Sequence, residues 1–175
     1  MASLSPQLQD LLADAPELPL TQRGLRPGRQ LRLLASQTPD TLFPGAKNAD
    51  AAYAGLLLRL GCWAESHENA QDISSVEGSY WHAIIHRMEP DAGNAAYWFR
   101  RVGRHAIFPE LLSEAQQILA RGAPRNWRLK AQWDPLLFIE WCEEAQTQGG
   151  GAESAARAIQ MAEWQLLFDW CAAPA

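Results

Sequence analysis

The sequence predicts an all-α fold: a single compact domain of about seven to eight helices built around a central antiparallel helical hairpin. Three observations predict it. Apolar residues recur at i, i+3, i+4 and i+7 in stretch after stretch, the spacing of one buried helix face. No stretch alternates apolar and polar residues over the length of a strand. Proline, glycine, serine and aspartate fall where those periodic stretches begin and end. With 175 residues, 47% of them apolar and 20% charged, the chain is long enough to enclose one sizeable core.

The elements follow in order. Ser5 and Pro6 make a helix start, cap then first-turn proline, and Leu8, Leu11, Leu12 and Ala15 supply its apolar face before Pro16 and Pro19 end it. Residues 20–30 are basic and turn-rich, 30–36 fit a short helix, and 36–47 are irregular with Phe43 as an anchor onto the core. Residues 1–47 thus form an irregular N-terminal region with short helices. Arg23, Arg26, Arg29 and Arg32 are a local positive cluster, read as a solvated loop or an anion contact.

A helix is expected from Asn48 or Asp50 to about Glu65, carrying Tyr53, Leu56, Leu57, Leu60 and Trp63. Gly61 inside it costs about 1 kcal/mol in propensity and so marks close packing or a break. Pro109 to Ala120 repeats the helical pattern, and Gly122 and Pro124 close it, ending a core region of residues 48–122. Trp127 and Trp133 fall in a basic connection. Asp134-Pro135 is a strong helix start. The helix Pro135 to Ala145, the three-glycine linker Gly149 to Gly151 and the helix Ala152 to Cys171 make a C-terminal helical pair over 134–175.

The stretch Gly78 to His105, GSYWHAIIHRMEPDAGNAAYWFRRVGRH, carries most of the chemistry. Its first helix buries Trp81, Ile84, Ile85 and Met88. His82, His86 and Glu89 fall together on another face at i, i+4, i+7, with Ser79 beside them. Two imidazoles at i, i+4 can converge on one point, as in many helical metal sites. Glu89 can then ligate or orient a histidine. After the turn at Pro90 to Gly93, the second helix runs from about Asn94 to Val102, capped by Asn94 or Asp91. Ala95, Trp98, Phe99 and Val102 line one of its faces and Asn94, Tyr97 and Arg101 another. A turn this short makes the two helices antiparallel. The pair is similar to one unit of a tetratricopeptide-like or Sel1-like repeat, but no second copy occurs at a fixed period, so no solenoid is predicted.

SHENAQ at Ser66 to Gln71, followed by GSYWHAIIHR and EPDAGNAAYWFRRVG, resembles a family of uncharacterised proteins of bacteria and fungi. The resemblance covers Cys62 to His105, about a quarter of the chain. It implies a shared fold and assigns no activity. On the matched positions it singles out His67, Gln71, Trp81, His82, His86, Arg87, Glu89, Asp91, Asn94, Tyr97, Trp98 and Arg101.

Several chemistries are disfavoured. HENAQ is not the HExxH zinc motif, because Gln71 stands at the fifth position. Cys62, Cys142 and Cys171 are widely separated and form no CxxC pair, which fits buried, reduced thiols. There is no phosphate-binding glycine loop, no GxSxG and no strand pattern for a dinucleotide fold. A net charge of -5 and a pI near 5.3 argue against a general nucleic-acid binder. The N-terminus lacks the pattern of a signal peptide and no apolar run is long enough to span a bilayer, so the expected location is the cytoplasm.

All four histidines lie between His67 and His105. Three functional readings survive. The first is a ligand-binding or interaction module whose pocket is lined by Trp81, His82, His86, Arg87, Glu89, Asn94, Tyr97, Trp98 and Arg101 and takes a small molecule or a protein partner. The second is a metal-dependent, hydrolase-like enzyme using His82 and His86, with His67 or His105 completing the ligand set and a divalent metal as cofactor. The third is a structural or assembly protein that meets a partner or a second copy of itself. Against the first two stands the plain alternative that His82 and His86 are hydrogen-bonded residues at a helix–helix contact.

Overall fold

A computed structural model describes residues 5–13, 15, 17–23, 34, 37–122 and 124–175, apart from the Gln7 side chain. The expected helix over 30–36, except for the buried helical Leu34, lies outside the described residues, as do Arg26, Arg29 and Arg32 of the basic cluster. Among the described residues the fold is all-α. The helices are α1 (Pro6–Ala13), α2 (Pro39–Leu42), α3 (Ala49–Arg59), α4 (Trp63–Asp72), α5 (Val76–Met88), α6 (Ala92–Val102), α7 (Phe108–Ala120), α8 (Pro135–Gln148) and α9 (Gly150–Ala172). No strand occurs among these residues, and one isolated bridge joins Ala46 to Pro174. No helix among them is long and apolar enough to cross a membrane.

The centre of the molecule is α5. Every residue from Gly78 to Met88 is buried, so its polar stripe is covered as fully as its apolar one. An element buried all round must be packed on all sides; here α3, α4 and α6 supply that cover. Ser75 caps α5 by accepting from the Gly78 amide, and Asp91 caps α6 by accepting from the Asn94 amide. Tyr80 meets Phe99 and His82 meets Trp98, which is the antiparallel pairing the short turn requires.

The helix expected from Asn48 to Glu65 is two helices. Gly61 adopts φ +79°. The Gly61 amide donates to the Leu58 carbonyl and the Cys62 amide to that of Leu57, the paired bonds of a Schellman stop. Of the two roles open to Gly61, the break is the one realised, because a left-handed residue at this point ends the helix. Close packing falls instead to Gly55. A Cβ there would lie 2.5 Å from the Trp81 ring, while its carbonyl accepts from the Trp164 indole at 2.9 Å. A side chain is excluded on one side of Gly55, and its backbone is pinned on the other.

Two further expectations are corrected. The three-glycine stretch is not a linker: Gly149 alone separates α8 from α9, and Gly150 and Gly151 already belong to α9. The 36–47 stretch is not wholly irregular, since Thr38 and Thr41 form a reciprocal capping box that nucleates the one-turn α2. Phe43 behind it packs edge-on against Phe168 in the core.

The core has two adjoining parts. One surrounds α5 and includes Leu56, Trp81, Ile84, Trp164 and Phe168. The other holds Leu111, Trp127, Trp133, Phe138, Trp141 and Ile159. Trp127 and Trp141 stack at 4.7 Å, 3° from parallel, so the expected connection over 126–133 contributes core side chains. Phe108 and Leu166 touch both parts. Helix α9, packed on α3, α7 and α8, runs along both.

A buried polar network ties α9 to α5. Glu163 accepts from Arg87 Nη2 at 2.5 Å and from Tyr80 Oη at 3.0 Å. Gln160 accepts from Arg87 Nη2 at 3.4 Å and donates to the Pro19 carbonyl at 2.8 Å. The Arg87 guanidinium also lies 4.5 Å from the Phe138 ring centroid. Burial by itself would lower the Arg87 pKa, but the adjacent Glu163 carboxylate outweighs it and holds the pKa above its ordinary value.

Candidate metal centre

The centre forms where α4 crosses α5. Ser66 is fully buried and its hydroxyl donates to the Ala54 carbonyl at 2.7 Å, which pins α4 to α3. The next residue, about 100° further round the helix, is His67, and it faces α5. There it meets His82 and His86, one turn apart on the covered polar stripe. One ligand atom from each imidazole lies within 4.8 Å of the others. His67 Nε2 and His82 Nε2 are 3.1 Å apart. The His82 and His86 rings stack at 4.7 Å, and His67 stands edge-on to both, at 4.6 Å and 5.2 Å.

Aromatic neighbours hold the rings. Trp63, one turn before His67, stacks on it at 5.3 Å. Trp98 of α6 stacks on His82 at 4.3 Å. Glu89 Oε2 lies 2.9 Å from His86 Nδ1, so the carboxylate accepts the Nδ1–H and leaves Nε2 with its lone pair, the arrangement that orients many metal-binding histidines. Around a tetrahedral zinc with bonds of about 2.0–2.1 Å, nitrogen ligands stand about 3.3 Å from one another. His67 and His82 already have that separation, and modest side-chain closure would bring in His86.

The electrostatics suit a cation. Burial, then the nearby His67 and His86, lower the His82 pKa to about 4. Burial and His86 lower that of His67, against a smaller opposing pull from Glu89. Both imidazoles are therefore neutral at pH 7, the form in which a ring nitrogen can ligate. The same shifts predict acid sensitivity. An unfolded imidazole titrates near 6.5, so between about pH 6.5 and 4 the unfolded chain binds more protons at His82 than the folded one does. For the metal-free protein, this contribution is complete above the unfolded pKa and is lost as pH falls through that window. Urea midpoints measured from pH 7 to 4 should decline, and His82→Asn should flatten the slope. An unchanged slope in the variant would assign the acid sensitivity to other groups.

The other sequence candidates are dispersed. His105 is not with the triad. It packs against Tyr80, Phe108 and Trp170, with Nε2 3.7 Å from Glu77, because Gly103 ends α6 and turns the chain away. Trp81 is 0% exposed and Arg87 2%, so neither lines an open pocket; one packs on Gly55 and the other pairs with Glu163. Asn94 and Asp91 bond to each other in an exposed cap. Gln71 is exposed. Tyr97 is 51% exposed beside Trp98, and the Arg101 guanidinium lies 5.2 Å from the Trp98 ring centroid. The cysteines are buried, and their pKa values are raised by that burial. Sequence reasoning left Trp63 in the core and missed its place against His67. Its signal was the i, i+4 spacing to that histidine.

Comparison with known proteins finds no matching family model, no matching curated protein sequence and no matching solved structure. The case for a centre at His67, His82 and His86, which could hold a metal ion, is therefore geometric.

Proposed function

We propose that His67, His82 and His86 bind a divalent first-row transition metal and that the protein is a metal-dependent enzyme of hydrolytic type. The observation that carries this reading is the convergence of three imidazole nitrogens within 4.8 Å on two packed helices. Neutral imidazoles with a nearby carboxylate suit Zn, Fe, Mn or Ni. Held by these three imidazoles, such an ion would supply Lewis-acid activation of water for hydrolysis. The chain's own residues divide the remaining work. Glu89 fixes the tautomer of His86, Trp63 and Trp98 hold His67 and His82 by stacking, and Tyr97 and Arg101 form the exposed edge beside Trp98 where a substrate would make contact. That exposed edge also supports the reading of a small-molecule or protein ligand held without metal.

Elemental analysis of tag-free protein purified without chelator tests the proposal, with His82→Ala/His86→Ala and His67→Gln variants beside it. His67 is only partly buried, so its variant keeps the test independent of folding defects at α5. We expect close to stoichiometric metal in the wild type and background levels in both variants. A wild type that holds no metal after incubation with Zn, Mn, Fe or Ni would overturn it.

A further inference from the structure

A second site is independent of the metal centre. A cavity of about 740 Å³ lies where the α6–α7 connection faces the start of α8. That volume is within the range of about 300–1,000 Å³ typical of small-molecule pockets. Phe108, Leu112 and Trp133 give it an apolar wall, and Arg104 and Lys130 stand among the residues that line it. Trp133 is 6% exposed and its indole N–H has no hydrogen-bond partner among the described residues.

The charges around the cavity are unequal. Lys130 is paired with Asp134, and the same Asp134 carboxylate accepts from the Leu136 and Leu137 amides as the cap of α8. The only carboxylate on the lining among the described residues is thus fully engaged. Arg104 is exposed and has no ion-pair or hydrogen-bond partner among the described residues. Burial lowers the pKa of His105, which keeps the imidazole on the lining neutral at pH 7. The beginning of α7, which no side chain caps, also lines the cavity, and its dipole adds positive potential. One uncompensated cation therefore stands over an apolar, aromatic wall.

We propose that this cavity binds a small organic carboxylate with an apolar or aromatic body. Arg104 takes the carboxylate at the rim, and Phe108, Leu112 and Trp133 enclose the hydrocarbon. A guanidinium suits a carboxylate because its planar fork can donate two parallel hydrogen bonds.

Calorimetric titration of the full chain with octanoate, 4-phenylbutyrate and neutral 4-phenylbutanol tests this, using wild type, Arg104→Gln and Leu112→Trp. We expect saturable carboxylate binding on the order of 1 mM or tighter. Arg104→Gln should weaken the carboxylates about tenfold and leave the alcohol unchanged, the size expected for one charge-assisted contact at a partly open rim. Leu112→Trp, which adds bulk to the apolar wall, should weaken binding of all three. Arg104 is exposed, so its variant will fold whether or not Leu112→Trp does. No saturation by either carboxylate up to about 10 mM would overturn the proposal, as would carboxylate binding that Arg104→Gln leaves intact. The metal centre takes no part in either outcome.

Discussion

Glu163→Gln is expected to destabilise the protein by about 3–5 kcal/mol, a large share of the roughly 5–15 kcal/mol by which a domain is stable. The reason is what remains behind. Arg87 is 2% exposed, and two of its guanidine-group nitrogens, Nε and Nη1, already lack hydrogen-bond partners among the described residues. Without the Glu163 carboxylate, a full positive charge would sit among Phe99, Phe138 and Tyr80 with only neutral partners. The double variant Arg87→Met/Glu163→Leu removes both charges and should recover most of the loss, because an apolar pair of similar volume has no desolvation cost to offset. The Arg157–Glu17 pair is the contrast. Glu17's side chain is 86% exposed, and Glu17→Gln should change stability by less than about 1 kcal/mol. Urea denaturation of the four proteins measures all of this. A Glu163→Gln variant as stable as Glu17→Gln would show that the buried pair is dispensable.

Metal addition should stabilise the wild type by about 4 kcal/mol when the free ion is a thousandfold above its Kd, because an ion that binds only the folded state shifts the equilibrium by mass action. His67→Gln should lose this increment and keep nearly the same stability without metal, since its ring is only partly buried and is held there by Trp63. Glu89→Gln should keep part of it, with affinity down by about 10–100-fold, because the amide still meets His86 Nδ1 but no longer as a carboxylate acceptor. Thermal melting across a zinc titration reads all three. An equal metal-induced rise in His67→Gln and wild type would place the ion elsewhere in the molecule.

Local spacing made some of this legible in the sequence. His82, His86 and Glu89 could be placed on one face because i, i+4, i+7 needs nothing beyond helix geometry, and α5 and α6 could be paired because only a short turn at Pro90 to Gly93 joins them. What spacing cannot supply is the partner across the contact. Periodicity placed His82 and His86 on a polar stripe without showing that α4 and α6 cover it. It grouped His105 with the other histidines because the path of the chain after Gly103 has no period. Sequence alone places Arg87 in a ligand pocket, since its true partner lies 76 residues away. A signal for that partner did exist. Glu163 stands between Ile159 and Leu167 at i, i+4, i+8 on the buried side of α9, and a carboxylate in the middle of an apolar stripe needs a buried cation. The break at Gly61 was marked by glycine, but composition alone could not separate a stop from a close contact.

The Schellman stop at Gly61 also bears on the order in which the molecule forms. With α3 and α4 as separate short helices, His67 and His82 are brought together across only 15 residues of chain, whereas the Arg87–Glu163 pair must close a loop of 76. The entropy of loop closure grows with loop length, and contacts close in sequence tend to form early. Loop entropy therefore favours early pairing of α4 with α5 and later docking of the long C-terminal helix as the latch. In a nascent chain, the imidazoles would come together before the latch residues have left the ribosome.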